Sequence, residues 1–351
     1  MVTLGVDAHK RTHTVVAVDD MGRQLGERTV AATSAGHLQA LQWARKWPER
    51  RWALEDCRHL SGRLEQELLV AGEVVINVPV KLMVRARDSA RTRGKSDPID
   101  ALATARALLR EDRLPAAMLN GPARELRLLV DHRDDLVAER TRIQNRLRWH
   151  LHELEPGEEP PRRTLDQSCT LDELEARLAG YSGVVARIAR SLVDRCRILT
   201  REVRELEKEI ALLVGILAPS LLQLFGCGAL TAAKIVGEVA GISRFRSRAA
   251  FAMHNGTAPI PVWSGNTTRF RLNRGGNRQI NCALHRIAIT QMQRPGPSRD
   301  YLARRRAAGD TSTEAMRALR RRLSDEVYRR LCADEVMMVR AGVQEGVAAA
   351  A

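Results

Sequence analysis

Aromatic side chains are scarce in this chain of 351 residues, and its cysteines show no paired spacing. Tryptophan, tyrosine and phenylalanine together make up 3% of the residues, so we expect stacking not to dominate the recognition of a partner. The six cysteines lack the spacing of a zinc site, which favours reduced thiols. The sequence opens with no signal peptide, and no uncharged apolar run is long enough to span a membrane. These absences predict a cytoplasmic protein.

Acidic residues are few in the C-terminal third, where arginine is abundant. Between Arg244 and Arg330 there are 19 arginines, no lysine and five acidic residues, in a chain whose formal net charge is +15. Guanidinium groups pair with phosphate oxygens through two parallel hydrogen bonds. The clustering of arginine therefore indicates a phosphate-rich partner such as a nucleic acid.

The first hundred residues show strand and helix patterns in the order β-β-β-α-β-α-β-α. The last of these strands is apolar throughout, which is typical of a parallel strand covered on both faces. Such an order predicts a mixed α/β domain of the ribonuclease H-like kind. The strands are predicted at 2–6, 12–18, 24–30, 51–54 and 74–78, and the helices at 34–47, at 59–71 and from 97 onward.

The last of these helices is predicted to begin within the segment Lys95-Ser96-Asp97-Pro98-Ile99-Asp100-Ala101. Ser96 or Asp97 is a favourable N-cap, and the first turn is where a helix tolerates proline best. Asp97 and Asp100 are three residues apart and share one face of the helix. Carboxylates in a first turn commonly do no more than offset the helix dipole, so a metal site here depends on further acids.

Two such acids end predicted strands, Asp7 the first and Glu55 the fourth. A ribonuclease H-like order brings both to the carboxyl ends of neighbouring strands, together with Asp97 and Asp100. Four carboxylates so close repel one another unless cations bind, and Mg²⁺ and Mn²⁺ prefer oxygen ligands. The sequence therefore predicts a magnesium or manganese site. Nearby, His9 and His13 are interpreted as surface histidines, and Lys10 as a candidate contact for a substrate phosphate.

Two alternatives to this metal site remain open from the residues alone. In the first alternative, Asp7 and Glu55 are only acids at strand ends that are exposed to solvent. The second is an actin-like ATPase fold, which also opens with a hairpin that carries an aspartate. A second glycine-rich phosphate hairpin, which such an ATPase needs, does not follow in this sequence.

A break at Pro115, Gly121 and Pro122 predicts a boundary that ends the first domain, residues 1–118. A charged helix follows over 123–154, and from Val185 to Leu217 apolar residues recur at alternating steps of three and four. Such a seam is typical of a coiled coil, and we assign residues 119–216 to this domain. We expect the seam to be exposed and to mediate dimerisation; the alternative is an intramolecular helical hairpin that buries it entirely.

The segment from Gly226 to Gly228 precedes an apolar helix and is typical of a helix-hairpin-helix element. Backbone amides at the start of that helix, with its dipole, suit a DNA phosphate. The alternative is a tight helix junction without ligand. We assign residues 217–351 to one mainly helical C-terminal domain.

Residues 256–278 are predicted to form a loop that is rich in arginine. Ser264 follows two prolines in this loop. A serine needs activation to act as a nucleophile, and metal ions or arginines can stabilise the charge that develops in phosphoryl transfer. From the residues alone Ser264 is one of many loop serines. The arginines of this segment are Arg269, Arg271, Arg274 and Arg278.

Taken together, these motifs resemble one family, the DEDD insertion-sequence transposases. These enzymes are also described as bridge-RNA-guided recombinases with a RuvC-like N-terminal domain. The resemblance covers residues 1 to about 295 in a consistent order. The matching motifs are Gly5-Val6-Asp7-Ala8-His9-Lys10, Leu54-Glu55, the segment from Lys95 to Ala101, the glycine-rich turn at 226–228, Gly256-Thr257-Ala258-Pro259, Ser264-Gly265 and Gly275-Gly276-Asn277-Arg278.

The resemblance implies a role for each matching residue. Asp7, Glu55, Asp97 and Asp100 are implied to hold the metal, and Ser264 to form a covalent 5′-phosphoserine link to DNA. The implied partners are donor and target DNA and a structured guide RNA. The resemblance also implies dimers that assemble into tetramers through the coiled coil. The implied location is the bacterial cytoplasm, and the nucleoid during transposition. Nucleic-acid contacts are expected at Lys10, Gly226, Gly228, Arg269, Arg271, Arg274 and Arg278.

Two residues depart from the family pattern. Pro98 stands where a basic or polar residue is common, which we expect to alter only the helix cap. Asn281 replaces a frequent basic residue, which we interpret as the loss of one phosphate contact.

We therefore expect a DNA transposase or recombinase. One alternative is a metal-dependent nuclease of the junction-resolving type, in which Ser264 is structural. Another is a nucleic-acid-binding protein without catalytic activity, which predicts salt-sensitive binding but no metal-dependent strand breaks.

Overall fold

The chain is organised as two compact units in a computed structural model that describes residues 1–55, 58–88, 96–111, 114, 116–118, 121–264 and 267–349. The first unit comprises Met1–Asn120 and Ser243–Ala250, and the second comprises Gly121–Ile242 and Phe251–Ala351. The first is mixed α/β and the second is mainly helical. This confirms the predicted combination of an α/β part and an all-α part.

A five-stranded sheet forms the centre of the first unit. Its strand order is β3-β2-β1-β4-β5. The first three strands are antiparallel, whereas β4 runs parallel to β1 and β5 parallel to β4. This arrangement is the one expected for a ribonuclease H-like sheet. The strands are β1 (Val2–Ala8), β2 (Thr12–Val18), β3 (Gln24–Ala31), β4 (Arg50–Glu55) and β5 (Val75–Val78).

Helices cover both faces of this sheet. One face packs into a core with Trp43 of the first helix and Leu64 of the second, and the other packs against alanines of the fourth helix. A third helix, which the sequence patterns did not predict, contributes Met83 and Ala86 to the core around β5. It is short and follows Pro79, so its apolar residues span too few turns to show a helical period. The helices are α1 (Ser34–Ala44), α2 (Arg58–Val70), α3 (Val80–Asp88) and α4 (Asp97–Arg110).

Helix α4 begins where the sequence predicts. Ser96 is its N-cap, although its side chain makes no capping hydrogen bond, and Pro98 lies in the first turn. Lys95, which the predicted segment includes, lies outside the described residues. The first turn carries Asp97 and Asp100, so the predicted pair of acids at a helix start is confirmed.

The backbone of α4 lies directly against Gly5 of β1. A Cβ atom at Gly5 would lie 2.1 Å from the carbonyl oxygen of Ala101 and 2.6 Å from the amide nitrogen of Ala105. Side chains alternate between the two faces of a strand, so Asp7 is on the same face of β1 as Gly5. The glycine thus permits an approach that brings the first turn of α4 close to Asp7.

The second unit is built around two long helices. Its elements are α5 (Gly121–Leu154), α6 (Ser168–Ala179), α7 (Val184–Leu217), α8 (Pro219–Leu222), α9 (Ala229–Val239), α10 (Arg248–His254), which starts in the segment of the first unit, β6 (Ile260–Ser264), β7 (Thr267–Arg271), α11 (Arg278–Met292), α12 (Pro297–Ala307) and α13 (Ser312–Ala349). None of the helices in the described chain is both long enough and apolar enough to cross a bilayer.

The apolar seam of α7 is covered within the chain. Leu192, Cys196 and Leu199 pack in one core with side chains of α5 and α6, and Val203 and Ile210 further along the seam are also buried. The prediction that this seam is exposed for dimerisation is therefore wrong. The intramolecular hairpin, which was the alternative, accounts for the apolar period.

The segment predicted as a loop contains a β-hairpin. Strands β6 and β7 pair antiparallel, with Ser264 opposite Thr267 at the last pair before the turn. Gly265 and Asn266 themselves lie outside the described residues. A two-residue Gly-Asn step between β-forming residues is a hairpin signal, which the prolines at 259 and 261 obscured. The serine therefore belongs to a strand end rather than to an irregular loop.

We expect Gly5→Ala to destabilise the protein by about 3 kcal/mol, because the added methyl group would clash with helix backbone atoms and force α4 away from β1. Urea unfolding followed by circular dichroism measures the change.

Gly62→Ala in α2 is a matched control, since among the described residues no heavy atom beyond its chain neighbours and the backbone of its own helix lies within 4 Å of the added Cβ. Alanine in place of a helical glycine should raise stability by roughly 0.5–1 kcal/mol. Unfolding midpoints that agree for the two variants would show that the contact of Gly5 with α4 is unimportant.

Candidate functional site

Asp7 lies at the carboxyl end of β1 with an acceptor that no described residue satisfies. Its side chain is 7% exposed, and its Oδ2 atom is buried without a hydrogen-bond partner in the described part of the chain. His9 Nδ1 lies 3.4 Å from that oxygen, and His9 Nε2 lies 3.9 Å from Asp97 Oδ1. Ligand atoms of these three residues all lie within 4.8 Å of one another. They form a compact set of oxygen and nitrogen donors.

The pKa of Asp7 reflects both its burial and its charged neighbours. Burial raises this pKa from its ordinary value of 3.8 to about 6; His9 opposes the rise, and the charges of Asp100, Asp97 and Glu55 add to it. Charges act on one another in this way only at short range. Geometry agrees for two of them: Asp7 and Asp97 have ligand atoms within 4.8 Å of one another, and Glu55 follows Leu54, which pairs with Val6 across β1 and β4.

Asp100 is held by a residue that sequence reasoning missed. Arg87 Nη1 in α3 donates a hydrogen bond to Asp100 Oδ1 at 3.0 Å, and the Asp100 side chain is 15% exposed. One turn along α4, Thr104 Oγ1 donates to the backbone oxygen of Asp100. The ion pair fixes the orientation of the carboxylate. Because α3 itself was not predicted, nothing in the sequence placed Arg87 here.

His9 is the second residue that the sequence analysis left out of the site. Its side chain is 49% exposed, as expected of a surface histidine, yet it lies between two acids. The sequence did contain one signal for this role, namely that His9 lies two residues after Asp7, at the end of a strand. Lys10, the predicted phosphate contact, is exposed in the turn that follows.

These donors fit a divalent cation. No described residue donates a hydrogen bond to Asp7 Oδ2, and the charges of three further carboxylates act on Asp7. Hard divalent ions prefer oxygen ligands with an occasional imidazole. Asp7, His9 and Asp97 have ligand atoms close enough to bind one ion together. Glu55, half-buried at the end of β4, lies near enough to influence Asp7.

In the second unit the turn around Gly226 packs against α11. Gly226 has a φ of +84°, and a Cβ atom there would lie 3.2 Å from the carbonyl oxygen of Ile287. Gln291 Nε2 donates to the backbone oxygen of Phe225 at 2.7 Å. Gly228 is the N-cap of α9, and a Cβ atom added there would meet no heavy atom of the described residues within 4 Å. The turn is thus a tight junction on one side and is open at the start of α9.

Ser264 is the last residue of β6, and its side chain lies outside the described part of the structure, as does that of Arg269. The other predicted arginines follow closely. Arg271 ends β7, Arg274 lies in the next turn and Arg278 begins α11, and all three are exposed.

Two glycines meet at the base of this hairpin. A Cβ atom at Gly276 would lie 2.2 Å from the amide nitrogen of Gly256, which itself has a φ of +74°. The chain segments before and after the hairpin therefore touch through their backbones. Only glycine at position 276 permits this approach.

A buried hydrogen-bond network holds the same base. Asn255 Oδ1 accepts from the backbone and hydroxyl of Thr257, and Asn255 Nδ2 donates to Ser324 Oγ at 2.8 Å. Asn281 Nδ2 donates to the backbone oxygen of Asn255, while Arg320 Nη1 donates to Asn281 Oδ1. Asn281 is 9% exposed. Its interpretation as a lost phosphate contact is therefore wrong, because the side chain is turned into the unit.

Comparison with known proteins places the carboxylate segment and the segment around Ser264 in one family. Residues 4–156 match a family model described as a transposase, and residues 218–303 match one described as a transposase of the IS116/IS110/IS902 family. The chain is 30% identical to the uncharacterized 44.8 kDa protein of insertion element IS116 of Streptomyces clavuligerus, over 93% of this chain and 94% of that protein. The chain belongs to the IS110/IS116 family of transposases.

Two further similarities accompany this assignment. The transposase is 26% identical to the uncharacterized 42 kDa protein of insertion element IS900 of Mycobacterium paratuberculosis, over 92% of this chain and 93% of that protein. Among solved structures, T. thermophilus RuvC in complex with a Holliday junction substrate aligns with 33% of this chain and 99% of its own, at a TM-score of 0.27 and 15% identity.

The family assignment confirms the insertion-sequence transposase predicted from the sequence, and with it an enzyme that acts on DNA. The first matched segment contains all four carboxylates of the transposase, and the second contains Ser264 and the arginines that follow it.

We expect Asp7→Asn to stabilise the metal-free transposase at pH 7 by roughly 2–3 kcal/mol, because it removes a buried carboxylate whose pKa is raised. The stability that Asp7 contributes is complete below its unfolded pKa of 3.8 and is lost as the pH rises through about 6. Urea unfolding in a chelator, at a series of pH values between these limits and above, measures the difference.

Exposed Asp20 in the same unit supplies the control, since Asp20→Asn should leave stability unchanged. Added Mg²⁺ should stabilise the wild type at pH 7 but not Asp7→Asn. Equal stabilisation of both by Mg²⁺ would remove Asp7 from the metal site.

Proposed function

We propose that this transposase cleaves and rejoins DNA with a divalent cation, Mg²⁺ or Mn²⁺, held by Asp7, Glu55, Asp97 and Asp100. The observation that supports the proposal is the set of ligand atoms on Asp7, His9 and Asp97 within 4.8 Å of one another, around a buried Asp7 oxygen to which no described residue donates a hydrogen bond. A cation bound here would offset the negative charge of the phosphodiester at which exchange occurs.

The protein's own groups prepare this site. Asp7 is presented by a strand end and Asp97 by a helix start, so both are fixed by regular backbone. Arg87 orients Asp100, so Arg87 is a positioning residue. His9 lies between Asp7 and Asp97 and adds a nitrogen donor to the same set.

We further propose that Ser264 is the nucleophile. Its oxygen would attack the phosphorus of a phosphodiester and lose its proton, while the 3′ oxygen of the cleaved strand leaves and gains one. One phosphodiester thereby replaces another as a 5′-phosphoserine, so the strand can be rejoined without an added energy source. The position of Ser264 at a hairpin end, followed by exposed arginines, supports this role.

The partners follow from the same proposal. Residues 239–299 contain ten arginines and no acidic residue, which suits donor and target DNA and a structured guide RNA. The domain limits 1–118, 119–216 and 217–351, a helix-hairpin-helix role for Gly226 and Gly228, and assembly of dimers into tetramers remain predictions. Because the seam of α7 is buried, such an assembly would have to use another surface.

Cells that carry the whole insertion element should accumulate protein covalently linked to DNA, detected as a slow-migrating species on denaturing gels. Ser264→Ala should abolish this species because the attacking oxygen is gone. Asp97→Asn should reduce it at least about 100-fold, since cation-dependent charge stabilisation is lost.

Ser191→Ala is the matched control, because Ser191 is exposed on α7 and is far in sequence from both Ser264 and the four carboxylates. It should form the adduct at the wild-type level. Strand breaks without an adduct, lost in Asp97→Asn but kept in Ser264→Ala, would instead identify a metal-dependent nuclease in which the serine is structural.

A further inference from the structure

The β6–β7 hairpin carries two of the most exposed aromatic side chains in the described chain. Trp263 is 74% exposed and Phe270 is 59% exposed. Other large aromatic residues are used in cores, among them Trp52 and Phe251, which are fully buried. In a chain with so few aromatics, two on one short hairpin mark a surface.

The register places both on the same face. Pro261 pairs with Phe270 across the hairpin, and Trp263 follows Pro261 by two residues along β6. Directly paired residues share a face, as do residues two apart in a strand. Trp263 and Phe270 are therefore diagonal neighbours, within reach of one another for large side chains. We call Pro261, Trp263 and Phe270 the aromatic face.

The residues around this face indicate the kind of partner that covers it. An isolated two-stranded hairpin is marginally stable in water, and β6 and β7 form a sheet of their own. Arg271 follows Phe270 directly in β7 and so lies on the other face of this two-stranded hairpin. Arg271 and Arg278, at the start of α11, are both exposed, and no acidic residue occurs in the sequence from 239 to 299. Charge complementarity therefore favours an anionic partner with flat apolar surfaces.

Nucleic-acid bases meet both requirements, but only when they are unpaired. Each base has a π face that stacks on an aromatic ring, and arginines follow the backbone of the same strand. In a duplex these faces are covered by neighbouring bases, so an exposed aromatic pair gains little from it. The aromatic face therefore discriminates between strand forms, which arginine contacts to phosphate do not.

We propose that Trp263 and Phe270 stack on unpaired bases of the nucleic acid beside Ser264. This inference rests on the proposed function, because it places a separated strand next to the nucleophile. In this proposal the hairpin itself holds the strands apart near the site of strand exchange.

The test uses the full-length protein and fluorescence anisotropy with two probes, a labelled oligothymidylate and a blunt-ended duplex. Trp263→Ala should bind the single strand about 5- to 150-fold more weakly, the range expected for the loss of one base–aromatic stack. Duplex binding should change little, and Trp263→Phe should restore most of the single-strand affinity. The salt dependence should be unchanged, since no phosphate contact is removed.

Trp149→Ala is a closely matched control. Trp149 is also 74% exposed but lies on α5, and its removal should leave both affinities unchanged. Phe270→Ala should reproduce the effect of Trp263→Ala if the two rings act as one face.

Several results would overturn the inference while leaving the proposed function intact. These are an unchanged single-strand affinity in Trp263→Ala, an equal loss for duplex and single strand, or an equal loss in Trp149→Ala. A change of oligomeric mass on sedimentation of Trp263→Ala, with unaltered DNA affinity, would make the face a protein interface. Failure of the wild type to bind either probe would count against the proposed function as well.

Discussion

The candidate metal site depends on one backbone contact, the packing of α4 on Gly5. Without a side chain at this position, the helix lies directly on β1, and its alanines at 101 and 105 face the strand. The first turn of α4 is thereby brought near the end of β1, where Asp7 lies. A larger residue at position 5 would separate Asp97 and Asp100 from Asp7 by the width of a side chain, and Coulomb interactions weaken with distance. The first turn of α4 lies near Asp7 because a glycine allows two backbones to touch.

The same contact makes the site costly when no cation is bound. Asp7 is buried and near other carboxylates, so its ionised form is disfavoured and its pKa rises to about 6. The chain compensates only in part: His9 lies near Asp7, and Arg87 pairs with Asp100. A ligand that binds the folded state alone stabilises it in proportion to its affinity. A divalent ion bound as proposed would therefore offset the cost of concentrating negative charge here, and cation binding would be linked to the stability of this unit.

Much of this site followed from local patterns, whereas its supporting residues did not. The β-branched runs and the helix start at Ser96 were readable, and their order placed the four acids at one edge of the sheet. Arg87 was not accessible, because α3 is too short for a period to appear, and the exposure of His9 concealed its position between two acids. Periodicity also identified the apolar stripe of α7 correctly but could not name its partner. Whether such a stripe is covered by another helix of the same chain or by a second chain is decided by packing, and here α5 and α6 cover its stretch from Ala189 to Leu199.

Composition gives the number of aromatic residues but not where they lie. A low aromatic content predicts that stacking does not dominate recognition, which stays a prediction, and it could not show that Trp263 and Phe270 lie together on an exposed hairpin face. The distribution of acids has a comparable consequence. The carboxylate cluster repels a phosphate until a cation reverses the local charge, whereas the acid-free segment around Ser264 attracts phosphate at all times. Under the proposed function, nucleic acid would therefore bind the serine segment without metal, while its approach to the carboxylates would require a cation. Binding and cleavage should thus differ in their metal requirement, because they depend on opposite charges in two separate parts of the sequence.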